Sequence, residues 1–388
     1  MQRVPITPRP DKAEKLEAIG LSFHDWDHYW KEDAYYEFSA AQIDELEAAA
    51  ESVHAACLQL VERVVNDPAL MTELAIPPSF HEPVGQSWNR RDPSLYGRFD
   101  FAWDGRGTPK MLEYNADTPT SLLESAVAQW YWQEDVFGGR ADQFNSLHEQ
   151  LVERWKAIVP AGAEVHLTSL SDNEEDWVCV QYLRETALQA GLHPQHLYLE
   201  DLGFDAGARQ FVDDRDRPIW HLFKLYPLEW MVREAFGAHL QDRQVLERTR
   251  LIEPLWKLLL SNKGMLPLLH RFNPQHPNIL PAWFEPPADA AAVVRKPLFS
   301  REGANVTILR GPGTHASVPA VEIARGQDGG YGAEGFIHQA YEPIRTFDGF
   351  TPVLGLWIVG DRPAGMCIRE DRNLITTNMS HFVPHVFF

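Results

Sequence analysis

The stretch YGRFDFAWDGRGTPKMLEYNAD, residues 96–117, reads as two strands joined by the turn Asp104-Gly105-Arg106-Gly107. Side chains alternate between the faces of a strand, so Arg98 and Asp100 share one face of the first strand and Glu113 and Asn115 one face of the second. If Trp103 pairs with Thr108 or with Lys110, the paired numbers sum to an odd value, and either register puts all four polar groups on a common face. Carboxylates, an amide oxygen and a guanidinium on one face suit Mg²⁺ beside a bound phosphate, because Mg²⁺ takes few carboxylates and completes its shell with phosphate oxygens and water. A solvated outer hairpin face is the alternative reading. Directly afterwards, Thr118-Pro119-Thr120-Ser121 opens the apolar run SLLESAVAQWYW, and a helix N-terminus with hydroxyls and free N–H groups favours anions.

Outward from this hairpin, VVRKPLFSREGANVTIL, residues 293–309, delivers Lys296 on a strand and continues into the polar loop from Ser300 to Asn305. Such a lysine can neutralise phosphates while the loop closes over them; an ordinary hairpin turn is the alternative. A helix begins at Ser39 with Gln42 three residues on, a capping box, and its apolar face runs Ile43, Leu46, Ala50, Val53, Cys57, Leu60, Val64 before Asp67-Pro68 ends it. Between 163 and 224 the pattern becomes the strand EVHLTSL, a helix over 175–190, the strand HLYLEDLGF, and RQFV with IWHLFKL as a hairpin across DDRDRP. Helices are expected near 227–236 and 245–261, and mostly strands after them. The expectation is an α+β chain with a body from about 1–150 and 250–388 and an inserted α/β subdomain at about 151–249.

The 388 residues carry 55 acidic against 35 basic side chains, a net charge of −20, which argues against nucleic acid as a partner. Three dispersed cysteines suggest neither a disulfide framework nor a zinc site. No apolar run has the length of a signal or membrane segment, so the cytoplasm is expected and a membrane partner is not. GxxxxGK[ST] and GxSxG are absent, and Gly311-Pro312-Gly313 is not followed by a dinucleotide-type helix opening. His24 and His28 have metal-pair spacing without a third ligand nearby and read as part of an aromatic cluster. Trp26, Trp30, Trp130 and Trp132 are expected in the core.

RFD, EYNAD, the KP-x-x-SREGAN loop, GFIHQAY and GMCIRED, in this order, resemble the glutathionylspermidine synthetase family, particularly its stand-alone bacterial members, over nearly the whole chain. The resemblance implies an ATP-grasp fold with the inserted α/β subdomain. It also implies an ADP-forming acid–amine ligase using ATP and Mg²⁺ and acting through an acyl phosphate. By this resemblance Asp100, Glu113 and Asn115 hold Mg²⁺, Arg98 contacts the transferring phosphoryl group, and Lys263 and Lys296 contact the nucleotide. Arg301 to Gly303 form the closing loop, the segment from Gln339 to Glu342 lies at the adenine, and Arg369 stabilises anionic intermediates. Glu174 and Glu175 hold the amine, and Thr118 and Thr120 contact the acid. The implied substrates are a small carboxylic acid or peptide and a cationic, polyamine-like amine. A small-molecule kinase on the same Mg·ATP face and a non-catalytic nucleotide-binding protein are the rival readings. Two departures stand out. Only 97 residues precede Arg98, so the amidase domain of bifunctional members is not expected, and Leu225 stands where a polar threonine would meet the acid, which argues against glutathione.

Overall fold

The computed structural model describes residues 1–26, 29–310 and 321–388; His28 and the Gly311-Pro312-Gly313 segment lie outside the described residues. The Ser39 helix runs Ala40–Val65. Ser39 accepts from the Gln42 N–H while the Gln42 side chain accepts from the Ser39 N–H, and the apolar face read from the sequence is buried throughout. That face packs against the back of a five-stranded antiparallel sheet. Its strand order is His381–Phe382, Arg362–Asp371, Thr351–Val359, Tyr96–Ala102, Lys110–Asn115. In it Arg98 lies opposite Asn115 and Asp100 opposite Glu113, and the register shifts between Asp100 and Phe101. The polar end therefore keeps the odd-sum register, whereas Ala102, not Trp103, pairs with Lys110 near the turn. Leu112 is the extra residue of this bulge, which bends the strand and turns its backbone toward the neighbouring sheet.

A second antiparallel sheet faces the first, ordered Ala282–Trp283, Phe336–Ala340, Ala292–Pro297, Thr307–Arg310, Val321–Arg325. Residues 164–252, mostly within the expected insert, carry a four-stranded parallel sheet, ordered Arg250–Ile252, His221–Lys224, Glu164–Ser169, His193–Tyr198, with the helix Glu174–Gln189 packed on it. With its helices and both kinds of sheet, the fold is α+β.

Several local expectations are corrected. The hairpin across DDRDRP is confined to its turn: the Ile219 N–H donates to the Phe211 carbonyl at 2.8 Å and the Asp213 N–H to the Arg217 carbonyl at 3.0 Å, with a single antiparallel bridge between Val212 and Pro218. Asp213 accepts from the N–H groups of Arg215 and Arg217 and curls this run into a loop. Gln210–Val212 pairs with Gly203–Asp205, while His221–Lys224, whose Leu222 and Phe223 are both buried, becomes a central parallel strand. HLYLEDLGF is interrupted by a 3₁₀ turn at Leu199–Asp201. The helix expected over 245–261 divides into the helix Arg243–Arg248, the strand Arg250–Ile252 and a 3₁₀ turn at Leu255–Leu259, because Leu251 and Ile252 find a sheet partner and Pro254 cannot continue a helix. Near 227–236 only Leu228–Met231 is α-helical. Trp30 and Trp132 are buried, but Trp26 and Trp130 are 48% and 40% exposed. Positions 130 and 132 point to nearly opposite sides of their helix, so both cannot face the core. Among the described residues, no helix is long and apolar enough to cross a membrane.

Candidate active site

A cleft of about 380 Å³ opens between the two antiparallel sheets and the insert. Its floor is the polar face of the 96–117 hairpin. Behind it, Phe99 and Tyr114 stack at 3.9 Å and turn the alternate side chains toward the cleft. Arg98 donates from Nε to Asp100 Oδ1 at 3.0 Å and from Nη1 to the Thr120 carbonyl at 3.2 Å; Asn115 Nδ2 donates to Asp100 Oδ2 at 3.2 Å. Gly355, opposite Asp100, makes room for this arrangement. A Cβ there would meet Cys367 Sγ at 2.5 Å and Arg98 Cδ at 2.9 Å, so any side chain would displace the guanidinium.

Glu113 is flanked by Lys263 Nζ at 3.3 Å and Lys296 Nζ at 4.0 Å. Lys263 is held on the Ser300 carbonyl at 2.8 Å and Lys296 on the bulged Leu112 carbonyl at 2.9 Å. Burial pushes the Glu113 carboxyl up, but the two ammonium groups outweigh it and hold the carboxyl below its ordinary value. Burial brings Lys296 down to about 8, with Glu113 opposing and Lys263 assisting. Among the described residues no three His, Cys, Asp or Glu side chains group as a metal site. A divalent ion at Asp100, Glu113 and Asn115 would have to draw its remaining ligands from phosphate and water, as Mg²⁺ does.

On the side of the second sheet the wall is apolar, with Leu112, Val294, Val306 and Ile308, and is closed by Gln339 and the half-buried Glu342. Gln339 is 1% exposed. Its Nε2 donates to the Met111 carbonyl at 3.1 Å, and its Oε1 is buried without a partner. Such an acceptor is costly unless a ligand supplies an N–H.

The loop after Lys296 is anchored. Arg301 donates to Glu229 Oε1 from Nε and Nη2 at 3.2 and 3.0 Å and to Thr118 Oγ1 at 2.5 Å. Gly303 sits at φ +70°, where a Cβ would come within 2.7 Å of Ile375 and of the Thr376 carbonyl. Across the cleft, Thr120 Oγ1 donates to Glu175 Oε1 at 2.5 Å. Arg369 lies over the Tyr29 ring at 4.9 Å and donates to the carbonyls of Thr377, Asn378 and Ser380. No carboxylate pairs with it among the described residues.

The cleft thus gathers Arg98, Asp100, Glu113, Asn115, Thr118, Thr120, Glu175, Lys296, Arg301, Gly303, Gln339, Glu342 and Arg369. Lys263 stands behind Glu113, and Glu174 faces away, exposed and accepting from Ser22 Oγ at 2.5 Å. Asp176, which the sequence did not single out, lines the cleft beside Glu175, and burial followed by the charge of Glu175 pushes its carboxyl up to about 7. Also missed was Asp117. It pairs with the fully buried Lys224, accepts from the Leu228 N–H at 2.8 Å, and so pins the insert to the hairpin. EYNAD contained that aspartate, but its lysine lies on a distant strand. Glu229, whose place toward the end of LFKLYPLEW suggests an acidic group for the amine, is instead bonded to Arg301.

The sequence model of the family described as glutathionylspermidine synthase preATP-grasp matches residues 3–388. A Haemophilus influenzae protein with the provisional name acid–amine ligase is 40% identical over the full length of both chains. The bifunctional glutathionylspermidine synthetase/amidase of Escherichia coli is 27% identical over 90% of this chain, which spans 58% of that relative's length. A solved glutathione synthetase-like effector of Globodera pallida superposes with a TM-score of 0.57 at 11% identity, covering 99% of this chain and all of the other, a likeness of fold.

Proposed function

Because the chain belongs to the glutathionylspermidine synthase family of ATP-grasp proteins, we propose that it is an ATP- and Mg²⁺-dependent ligase that joins a carboxylic acid to an amine. The observation that carries this reading is the convergence on one sheet face of Arg98, Asp100, Glu113 and Asn115 with the ammonium groups flanking Glu113. Asp100, Glu113 and Asn115 are the groups that would hold Mg²⁺, which supplies charge neutralisation at the phosphates when bound. Lys296, fixed on a main-chain carbonyl, faces the phosphate chain as a point charge, and Lys263, behind Glu113, adds positive charge at longer range. Gln339 Oε1 supplies the acceptor for the amino group of adenine.

The proposed reaction uses these positions. An acid carboxylate near Thr118 and Thr120 attacks the γ-phosphorus, the bond to ADP breaks, and Arg98 stabilises the charge spread over the moving phosphoryl group. The amine attacks the acyl phosphate, loses a proton, and expels phosphate. Arg369 has no ion-paired carboxylate among the described residues, so its guanidinium offsets the oxyanion of the tetrahedral intermediate. Glu175 and Asp176 provide negative charge for a cationic amine. The insert, residues 151–249 with its last paired strand reaching Ile252, forms the substrate side and the remainder the nucleotide side. Incubation with Mg·ATP and acids crossed with amines is expected to yield an amide, ADP and free phosphate in equal amounts. A stable phosphorylated acid or alcohol would make the protein a kinase instead, and nucleotide binding without ADP formation would leave it a non-catalytic binder.

A further inference from the structure

We propose that the acid partner carries a single negative charge, the reacting carboxylate itself, on an apolar body; this inference rests on the ligase reading. It comes from accounting for every cation on the cleft wall. The Lys and Arg side chains lining the cleft are Arg98, Lys296, Arg301 and Arg369, and the undescribed residues 27–28 and 311–320 contain neither residue type. Arg98 pairs with Asp100, Lys296 lies beside Glu113, and Arg301 is engaged by three hydrogen bonds to Glu229 and Thr118. Among the described residues only Arg369 has no carboxylate in an ion pair with it, and it is required where the reacting carboxylate sits.

The wall that would meet the rest of the acid is Leu170, Leu225, Tyr226 and Trp230. Strand alternation explains it. Lys224 turns back into Asp117, so the next residue, Leu225, turns to the cleft; the Tyr226 hydroxyl is taken by Glu234 at 2.5 Å. The charged groups within reach of this wall are Glu175, Asp176 and Glu302, together with Arg301, which lies over the Trp230 ring at 5.8 Å and is already bonded to Glu229 and Thr118. A second carboxylate on the acid would lose its water, find its nearest cation, Arg301, already paired with Glu229, and face like charge, whereas an apolar body would be buried at no electrostatic cost.

The test uses hydroxylamine in place of the unidentified amine, so that any acyl phosphate is trapped as a hydroxamate with release of phosphate. The full chain is given Mg·ATP, hydroxylamine and one acid of a matched pair, hexanoate or adipate, N-acetylleucine or N-acetylglutamate, and separately glutathione. The expected result is a kcat/KM at least roughly tenfold higher for the monocarboxylate of each pair, since a site without a partner for a polar group rejects it strongly. Leu225→Lys should narrow that ratio. If this buried substitution unfolds the protein, Trp230→Lys, at a position 37% exposed, should do the same. Equal or preferred use of the dicarboxylates or of glutathione would overturn the inference and leave the ligase reading standing. Absence of both ADP and hydroxamate with every acid would overturn the ligase reading, and this inference with it.

Discussion

Glu113 is held ionised by its two lysines, so removing its charge leaves Lys263 and Lys296 facing each other with nothing between them. Glu113→Gln is expected to lower ADP formation by about a hundredfold or more, by loss of a metal ligand and of lysine alignment. The variant should stay folded by circular dichroism, with a lowered unfolding midpoint because the two buried ammonium groups lose the charge between them. ADP formation at the wild-type rate by the folded variant would refute the metal assignment. A second prediction at this scale concerns Glu124, which is 2% exposed and accepts from the Tyr29 hydroxyl at 2.6 Å beneath Arg369. Burial pushes its carboxyl up to about 7 from 4.5, opposed by the Tyr29 hydroxyl and aided by Glu175. A raised carboxyl pKa means that the folded state keeps its proton after the unfolded state has lost it. Stability is therefore lost as pH rises from about 5 to 8, by on the order of 3 kcal/mol at most. Glu124→Gln should be more stable than the wild type at pH 8 and gain nothing at pH 4; denaturant titrations at the two values check this. Of these residues, the hairpin face was legible because strand alternation is local. The Tyr29–Glu124–Arg369 stack was not, since its members lie on three separate segments.

Two elements set the shape of the cleft, the segment Leu225–Trp230 and the loop Ser300–Asn305, and one ion pair ties each down. Asp117 holds the first through Lys224 and the Leu228 N–H. Asp117→Asn leaves a fully buried ammonium unpaired and should cost about 3–5 kcal/mol, read as a lowered denaturant midpoint. Glu229 holds the second through Arg301. Glu229→Gln should speed amide hydrogen exchange across 300–305 in the absence of nucleotide, with protection restored by an ATP analogue. Unchanged exchange would mean that Gly303 packing against Ile375, not the ion pair, fixes the loop. At this scale the sequence located the loop and the Ser39 helix, whose caps and apolar spacing are local. It misplaced the 245–261 helix and extended the DDRDRP hairpin too far, because His221–Lys224 and Arg250–Ile252 pair in a parallel sheet with residues tens of positions away.

Across the whole molecule, the charge of −20 favours the approach of a cationic amine and opposes that of an anionic acid. Screening should therefore act oppositely on the two substrates. Between roughly 20 and 200 mM salt the KM for a polyamine should rise severalfold while that for an acid stays level or falls. Parallel changes in both would point to a general effect on the protein.

What the sequence determined by itself was whatever depends on local periodicity or on ordered motifs: the shared face of Arg98, Asp100, Glu113 and Asn115, the long capped helix, the strand-rich C-terminal half and the family. The tertiary structure alone decided which groups confront one another across the cleft. It set Lys263 and Lys296 on one carboxylate, put Asp176 in the cleft and turned Glu174 out of it, joined Arg301 to Glu229, and emptied Gly355 to admit a guanidinium. Alternation along a strand is fixed by backbone geometry within a few residues, but a contact between sheets depends on how remote segments pack, and no local pattern encodes that distance.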